Sequence, residues 1–187
     1  MSQLSMLAVS GSLRSASFNT RLAQLLAEVA PANCRFEVAT LNGIPLYDGD
    51  LEEAEGIPEA VDALRQRIKQ ADGLILVTPE YNAGMPGVLK NALDWLTRPG
   101  EEMRPTFGHR PTALAGATPG AWGTAFAQAS ALINLRQLGV SLFPDYLRIS
   151  GVAEKLGEDG ASEELRDQLR KFVSRFSEFC AAGGGRD

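Results

Sequence analysis

Histidine and cysteine are scarce in this sequence: its 187 residues include one His, at position 109, and two Cys, at 34 and 180. A zinc site built on histidines is excluded by that count, and two cysteines so far apart do not complete a mixed one. No CxxC pair is present, so reduced, buried thiols in a cytoplasmic compartment are expected rather than a disulfide frame. A Ser-His-Asp triad would have to use His109. That residue stands in FGHRP, a Gly/Pro-flanked loop ahead of an apolar run, and is read as an exposed loop residue. Long apolar runs are also missing. None reaches the roughly 18 residues of a membrane span, and no charged segment followed by a cleavable apolar one opens the chain. Basic charge is in deficit: 18 Lys and Arg stand against 23 Asp and Glu, for a net −5. That balance speaks against nucleic acid, which needs a concentrated basic patch. GxGxxG and GxxxxGK[ST] are absent as well, so neither a dinucleotide fingerprint nor a P-loop is supported.

What the sequence does have is a steady alternation of apolar runs and helical periods. Residues 4–10 read as a strand buried on both faces. Leu22, Leu25, Leu26 and Val29 follow at i, i+3, i+4 and i+7, giving a helix over about 18–30 that Pro31 ends. Residues 35–41 form a second strand. NGIPLYDGDLEEAEGIP is then read as a long loop whose acids, 48–55, are solvated. A helix over about 58–71, a strand at 73–78 and a helix over about 86–97 come next. A strand at 111–117, a helix over about 123–138 and a strand at 140–149 interrupted by Pro144 follow, and a last helix covers 162–181. The expected organisation is one domain, 1–182, with GGGRD, 183–187, as a frayed flexible tail. Five β-α units with continuous apolar strands imply an α/β three-layer sandwich. Its parallel sheet takes the flavodoxin-like order 2-1-3-4-5.

Ligands of such sheets bind beyond the carboxyl ends of the strands, where the order switches between strands 1 and 3. Three loops therefore carry the functional reading. In GSLRSASFN, Gly11 admits close backbone approach, Ser12, Ser17 and Asn19 offer hydrogen bonds, and Arg14 offers a charge-assisted fork. The helix that follows turns free N–H groups toward the same place, so a monophosphate would fit. The alternative is that Ser17 is an N-cap and Arg14 a surface charge. In PEYNAGMPG, Pro79, Gly84, Pro86 and Gly87 force a turn with exposed backbone donors, suited to rim a flat heteroaromatic ring on which Tyr81 stacks, with Glu80 and Asn82 as polar groups at the strand's carboxyl end; the alternative is a plain strand-to-helix turn. TPGAWGT adds Thr118 and backbone made accessible by glycine. A receiver domain shares this fold but needs acids after strand 1 and an Asp ending strand 3. Here those places hold Ser10-Gly11-Ser12 and Thr78-Pro79.

Taken together, GSLRSASFN, TPEYNAGMPGVLKNALDWL and TPGAWGT, with IPLYDGDLE between them, resemble the NADPH-dependent FMN reductase family, in its chromate and quinone reductase branch. The resemblance implies bound FMN, NADPH or NADH as electron donor, and reduction of quinones or adventitious acceptors such as chromate and azo compounds. Carried over by position, it implies that Ser12, Arg14, Ser17 and Asn19 hold the FMN phosphate. It further implies that Pro79, Glu80, Tyr81 and Asn82 border the isoalloxazine and that Thr118 closes the site. No side chain is expected to act as nucleophile or essential acid. It also implies a homodimer or homotetramer, with Trp95 either joining the subunit interface or packing on its own sheet. A Gly-Gly pair that the family often shows after strand 4 is replaced here by Gly123-Thr124, next to the bulky Trp122. Two rival activities share the fold: release of reduced FMN to a partner enzyme, and electron carriage without NAD(P)H oxidation. A non-enzymatic flavin-binding regulator is a third alternative.

Overall fold

Five parallel strands form the centre of the protein, in the spatial order β2-β1-β3-β4-β5 expected from the alternating pattern. The computed structural model describes residues 3–157 and 160–184. The strands are β1 (Leu4–Ser10), β2 (Cys34–Ala39), β3 (Gly73–Val77), β4 (Pro111–Ala117) and β5 (Ser141–Ile149). Every residue of β3 and β4 is buried, as their unbroken apolar runs require of strands covered on both faces. Period-two alternation then divides the core. Met6, Ala8, Ile75, Val77, Ala113 and Ala115 meet α1 (Phe18–Glu28) and α8 (Glu163–Ala181) on one side. Leu7, Val9, Leu74, Leu76 and Leu114 meet α3 (Glu59–Gln70), α4 (Gly87–Leu96) and α6 (Ala125–Leu138) on the other.

Pro144 does not end β5; it bulges it. The register with β4 passes from Thr112↔Leu142 to Leu114↔Tyr146, so Phe143, Pro144 and Asp145 share the space opposite one β4 residue. β5 is an edge strand, where a missing N–H is tolerated and a bulge discourages pairing with another chain.

The long acidic loop is more ordered than expected. It contains α2 (Gly49–Glu55), whose N-cap Asp48 accepts from Asp50 N. Its acids are not all solvated. Glu52 accepts from Arg98 Nε at 2.8 Å and from the Tyr47 hydroxyl at 3.0 Å, and the Arg98 guanidinium holds its carboxyl below the usual range. α2 buries none of its residues, so no apolar stripe announced it. Trp95 is fully buried and donates to Pro45 O at 2.9 Å, with Tyr47 edge-on at 4.9 Å. Of the two roles expected of it, packing within its own subunit is the one observed.

A short α5 (Met103–Phe107) precedes β4. α7 (Val152–Lys155) and a small antiparallel pair, β6 (Leu156–Gly157) and β7 (Gly160–Ala161), precede α8. Cys34 and Cys180 are buried and unpaired, and burial pushes the Cys180 thiol up to about 12. Of the expected tail, Gly183 and Gly184 close the end of α8 by donating to Cys180 O and Phe179 O, while 185–187 lie outside the described residues.

Candidate functional site

The loops after β1, β3 and β4 converge at the carboxyl edge of the sheet. A cleft of about 170 Å³ opens between them, lined by Ser12, Arg14, Ser17, Phe18, Asn19, Pro79, Glu80, Tyr81, Ala117, Thr118 and Pro119. Eight of the nine residues expected at the site are in that lining. Asn82 is the exception. Tyr81 and Gly84 exchange backbone hydrogen bonds at 3.1 Å, so Asn82 and Ala83 form the two-residue tip of a tight hairpin, with φ of 50° and 57°. Asn82 is exposed there.

The first loop is tied to β3 by Gly11 N, which donates to Val77 O at 2.8 Å. A Cβ at Gly11 would stand 3.2 Å from Leu89 and 3.3 Å from Pro79, so a small residue keeps loops one and two together. Ser17 is the N-cap of α1, its Oγ accepting from Asn19 N and Thr20 N at 3.2 and 3.3 Å. Ser12 Oγ likewise accepts from Arg14 N. Both hydroxyls still have a proton to donate into the cleft. Arg14 is exposed at its mouth.

Asn19 makes a different contact from the one its position suggests. Its Oδ1 accepts from Ala117 N at 2.9 Å and its Nδ2 donates to Ala117 O at 3.0 Å. The carboxamide thus pairs with the last residue of β4 as another strand would, joining the first turn of α1 to the start of the third loop. Glu80 also works through backbone. Its Oε2 accepts from Phe126 N at 2.8 Å and Ala127 N at 2.9 Å, capping α6 from the second loop. That helix needs an external cap, because its N-cap residue Thr124 is left-handed and makes no side-chain cap. Replacing Glu80 with alanine is expected to cost about 1–2 kcal/mol in urea denaturation, with Gln losing less because one carbonyl oxygen remains.

Thr124 has φ 64°, an outlier for a β-branched residue. A buried network holds it: Gln128 Nε2 donates to Thr124 Oγ1 and to Leu147 O, both at 3.0 Å. This is how the chain accommodates a threonine in the left-handed position after Gly123.

Electrostatics distinguish the cleft. α3 and α8, which contribute no residue to its lining, carry their own first-turn acids: Glu59 and Asp62, and Glu163 and Glu164. α1, α4 and α6, which follow the three loops, have none. α6 receives Glu80, whereas α1 is left with the positive end of its dipole facing the cleft beside Arg14.

His109 is exposed ahead of β4, at the opposite end of that strand from the cleft. Seven residues of strand separate it from the third loop, roughly 20 Å. A larger concavity of about 520 Å³, lined in part by Arg148, Lys171 and Arg175, follows β5 rather than the β1/β3 switch.

The NADPH-dependent FMN reductase family profile matches residues 4–154. The chain is 39% identical over 178 residues to a 2-hydroxy-1,4-benzoquinone reductase of a Burkholderia species, covering 90% of this chain and 92% of the other. It is 46% identical over 139 residues to an NAD(P)H-dependent FMN reductase of Pseudomonas aeruginosa, covering 74% and 71%. Among solved structures, a flavoenzyme NAD(P)H:(acceptor) oxidoreductase of Paracoccus denitrificans superposes with a TM-score of 0.84 at 32% identity, over 96% of this chain and 98% of that one.

Proposed function

This chain belongs to the NADPH-dependent FMN reductase family, and on that premise we propose that it is an FMN-dependent oxidoreductase passing electrons from NAD(P)H to quinones. The observation that carries the reading is the cleft where three loops meet at the β1/β3 switch, with the acid-free N-terminus of α1 at one end. The donor set fits FMN. Among the described residues, the backbone N–H groups of residues 13, 15 and 16 meet no acceptor of the chain, and α1 has no acid in its first turn. Arg14, Ser12 and Ser17 surround that end, as a phosphate dianion requires.

When bound, FMN supplies the redox chemistry, accepting a hydride from NAD(P)H and returning two electrons, with protons from solvent, to a quinone that leaves as the hydroquinone. The chain's part is to hold and orient. Ser12, Arg14 and Ser17 take the phosphate, while Asn19 fixes the α1 terminus that faces it. Pro79, Glu80 and Tyr81 border the ring system, with Glu80 acting through α6, and Asn82 shapes the hairpin that presents Tyr81. Thr118 closes the third side. The reading includes a cytoplasmic setting, which two buried, unpaired thiols support, and a homodimer or homotetramer.

The phosphate assignment has a direct test. Calorimetric titration of apo-protein should give FMN binding about 100-fold tighter than riboflavin, and Arg14→Ala should remove at least about tenfold of that difference. Equal affinity for the two flavins in the wild type would contradict it.

A further inference from the structure

Resting on the reductase reading, we infer that Trp122 and Phe126 form an aromatic shelf at the rim of the cleft that seats the electron acceptor and selects uncharged, fused-ring quinones. The two rings lie 5.8 Å apart at an interplanar angle of 57°, and Trp122 is 67% exposed and Phe126 46%. What sets the pair apart is contiguity: two exposed aromatic rings in contact make an apolar patch, the kind of surface that marks a ligand groove or partner site. Their position is fixed relative to the cleft from both sides. Trp122 stands three residues beyond Pro119, which lines it, and Phe126 N is bonded to Glu80, which also lines it. Tyr81, 51% exposed, follows Glu80 directly.

The backbone under the shelf is held by specific contacts. Ala125 N donates to Trp122 O at 3.0 Å, Gly123 is left-handed with room for no Cβ against Arg148, and Thr124 is held left-handed by Gln128. Strain kept in this way marks a segment whose conformation is used. Two tilted, exposed rings offer one face and one edge against which a planar ring can pack, and the indole, itself bicyclic, gives a fused ring the larger overlap. Charge points to a neutral occupant. Arg14 is on the opposite loop, Glu80 is bonded to α6, and Arg148, against Gly123, is engaged by Gln128 Oε1 and the Tyr146 ring.

The test compares wild type, Trp122→Ala, Trp122→Phe and Phe126→Ala as FMN-loaded proteins. The probes are 2-methyl-1,4-naphthoquinone and ferricyanide, a small anionic acceptor that needs no stacking. The expected result is a KM for the naphthoquinone raised about fivefold to tenfold in the alanine variants and largely restored by Trp122→Phe. Ferricyanide turnover and the anaerobic rate of flavin bleaching by NADPH should be unchanged. Calorimetric binding of the naphthoquinone to the oxidised protein should weaken by the same factor. An unchanged dissociation constant would overturn the inference. So would equal slowing of bleaching, which would put the nicotinamide on the shelf, or a change of oligomer size by light scattering that tracks the loss, which would put a second copy there. Wild-type protein that NADPH does not bleach would instead remove the reductase reading, and the shelf with it.

Discussion

Asn19→Asp is expected to lower stability by about 3 kcal/mol and to weaken FMN binding more than about 100-fold at neutral pH. The substitution is isosteric, so packing is not at issue. Asn19 is 4% exposed and spans Ala117 with one donor and one acceptor. An ionised aspartate keeps the bond from Ala117 N but turns an oxygen on Ala117 O, placing two acceptors face to face in a buried site. It also puts a negative charge in the first turn of α1, the one place the phosphate reading requires to be free of acid. Lowering the pH should restore part of both losses, because a protonated carboxyl donates to Ala117 O and carries no charge. Chemical denaturation and FMN titration at two pH values would measure this. Stability that falls while FMN affinity holds would detach Asn19 from the ligand site and leave it a purely structural pairing.

Gly116→Ala should be comparably damaging for a steric reason. A Cβ there would lie 2.0 Å from Thr124 Oγ1 and 2.5 Å from Thr78 O. Thr78 cannot retreat, since its N donates to Ala115 O at 2.8 Å and its side chain bonds Pro79 O. Thr124 is the movable partner, and moving it breaks the Gln128 network and shifts the loop that carries Trp122. A loss of about 2–3 kcal/mol is expected. Gly116→Ala/Thr124→Gly, which removes the colliding side chain and suits the left-handed position, should recover only part of it, because the approach to Thr78 O remains. A double variant no better than the single one would mean that the clash with Thr78 O alone sets the cost.

The frame of the protein can be read from local pattern. LSMLAVS, GLILV and PTALAGA are continuous apolar runs between helical periods, and strands of that kind have no place but the centre of a covered parallel sheet. Once the order 2-1-3-4-5 is set, the loops at its switch are fixed too, which is why most of the expected site residues meet in one cleft. The contacts that organise that cleft carry no such pattern. Asn19 reaches Ala117 across 98 residues and Glu80 reaches Phe126 across 46. Both pair a side chain with backbone, which leaves no trace in hydrophobic period or spacing. Asn19 and Glu80 were therefore visible as polar residues at the right edge, but their partners were not. α2 was missed for the opposite reason: a helix that buries nothing writes no stripe. Thr124 ran against propensity, and only the buried Gln128 beneath it explains a β-branched residue in a left-handed turn.

The central claim is that this cleft holds a flavin that NAD(P)H reduces and a quinone reoxidises. One anaerobic absorbance experiment on purified, desalted, FMN-reconstituted protein addresses it most directly. The account predicts near-stoichiometric flavin bands that bleach on NADPH and return on one equivalent of benzoquinone. Flavin that stays oxidised under NADPH, or protein that takes up no FMN at all, would contradict it.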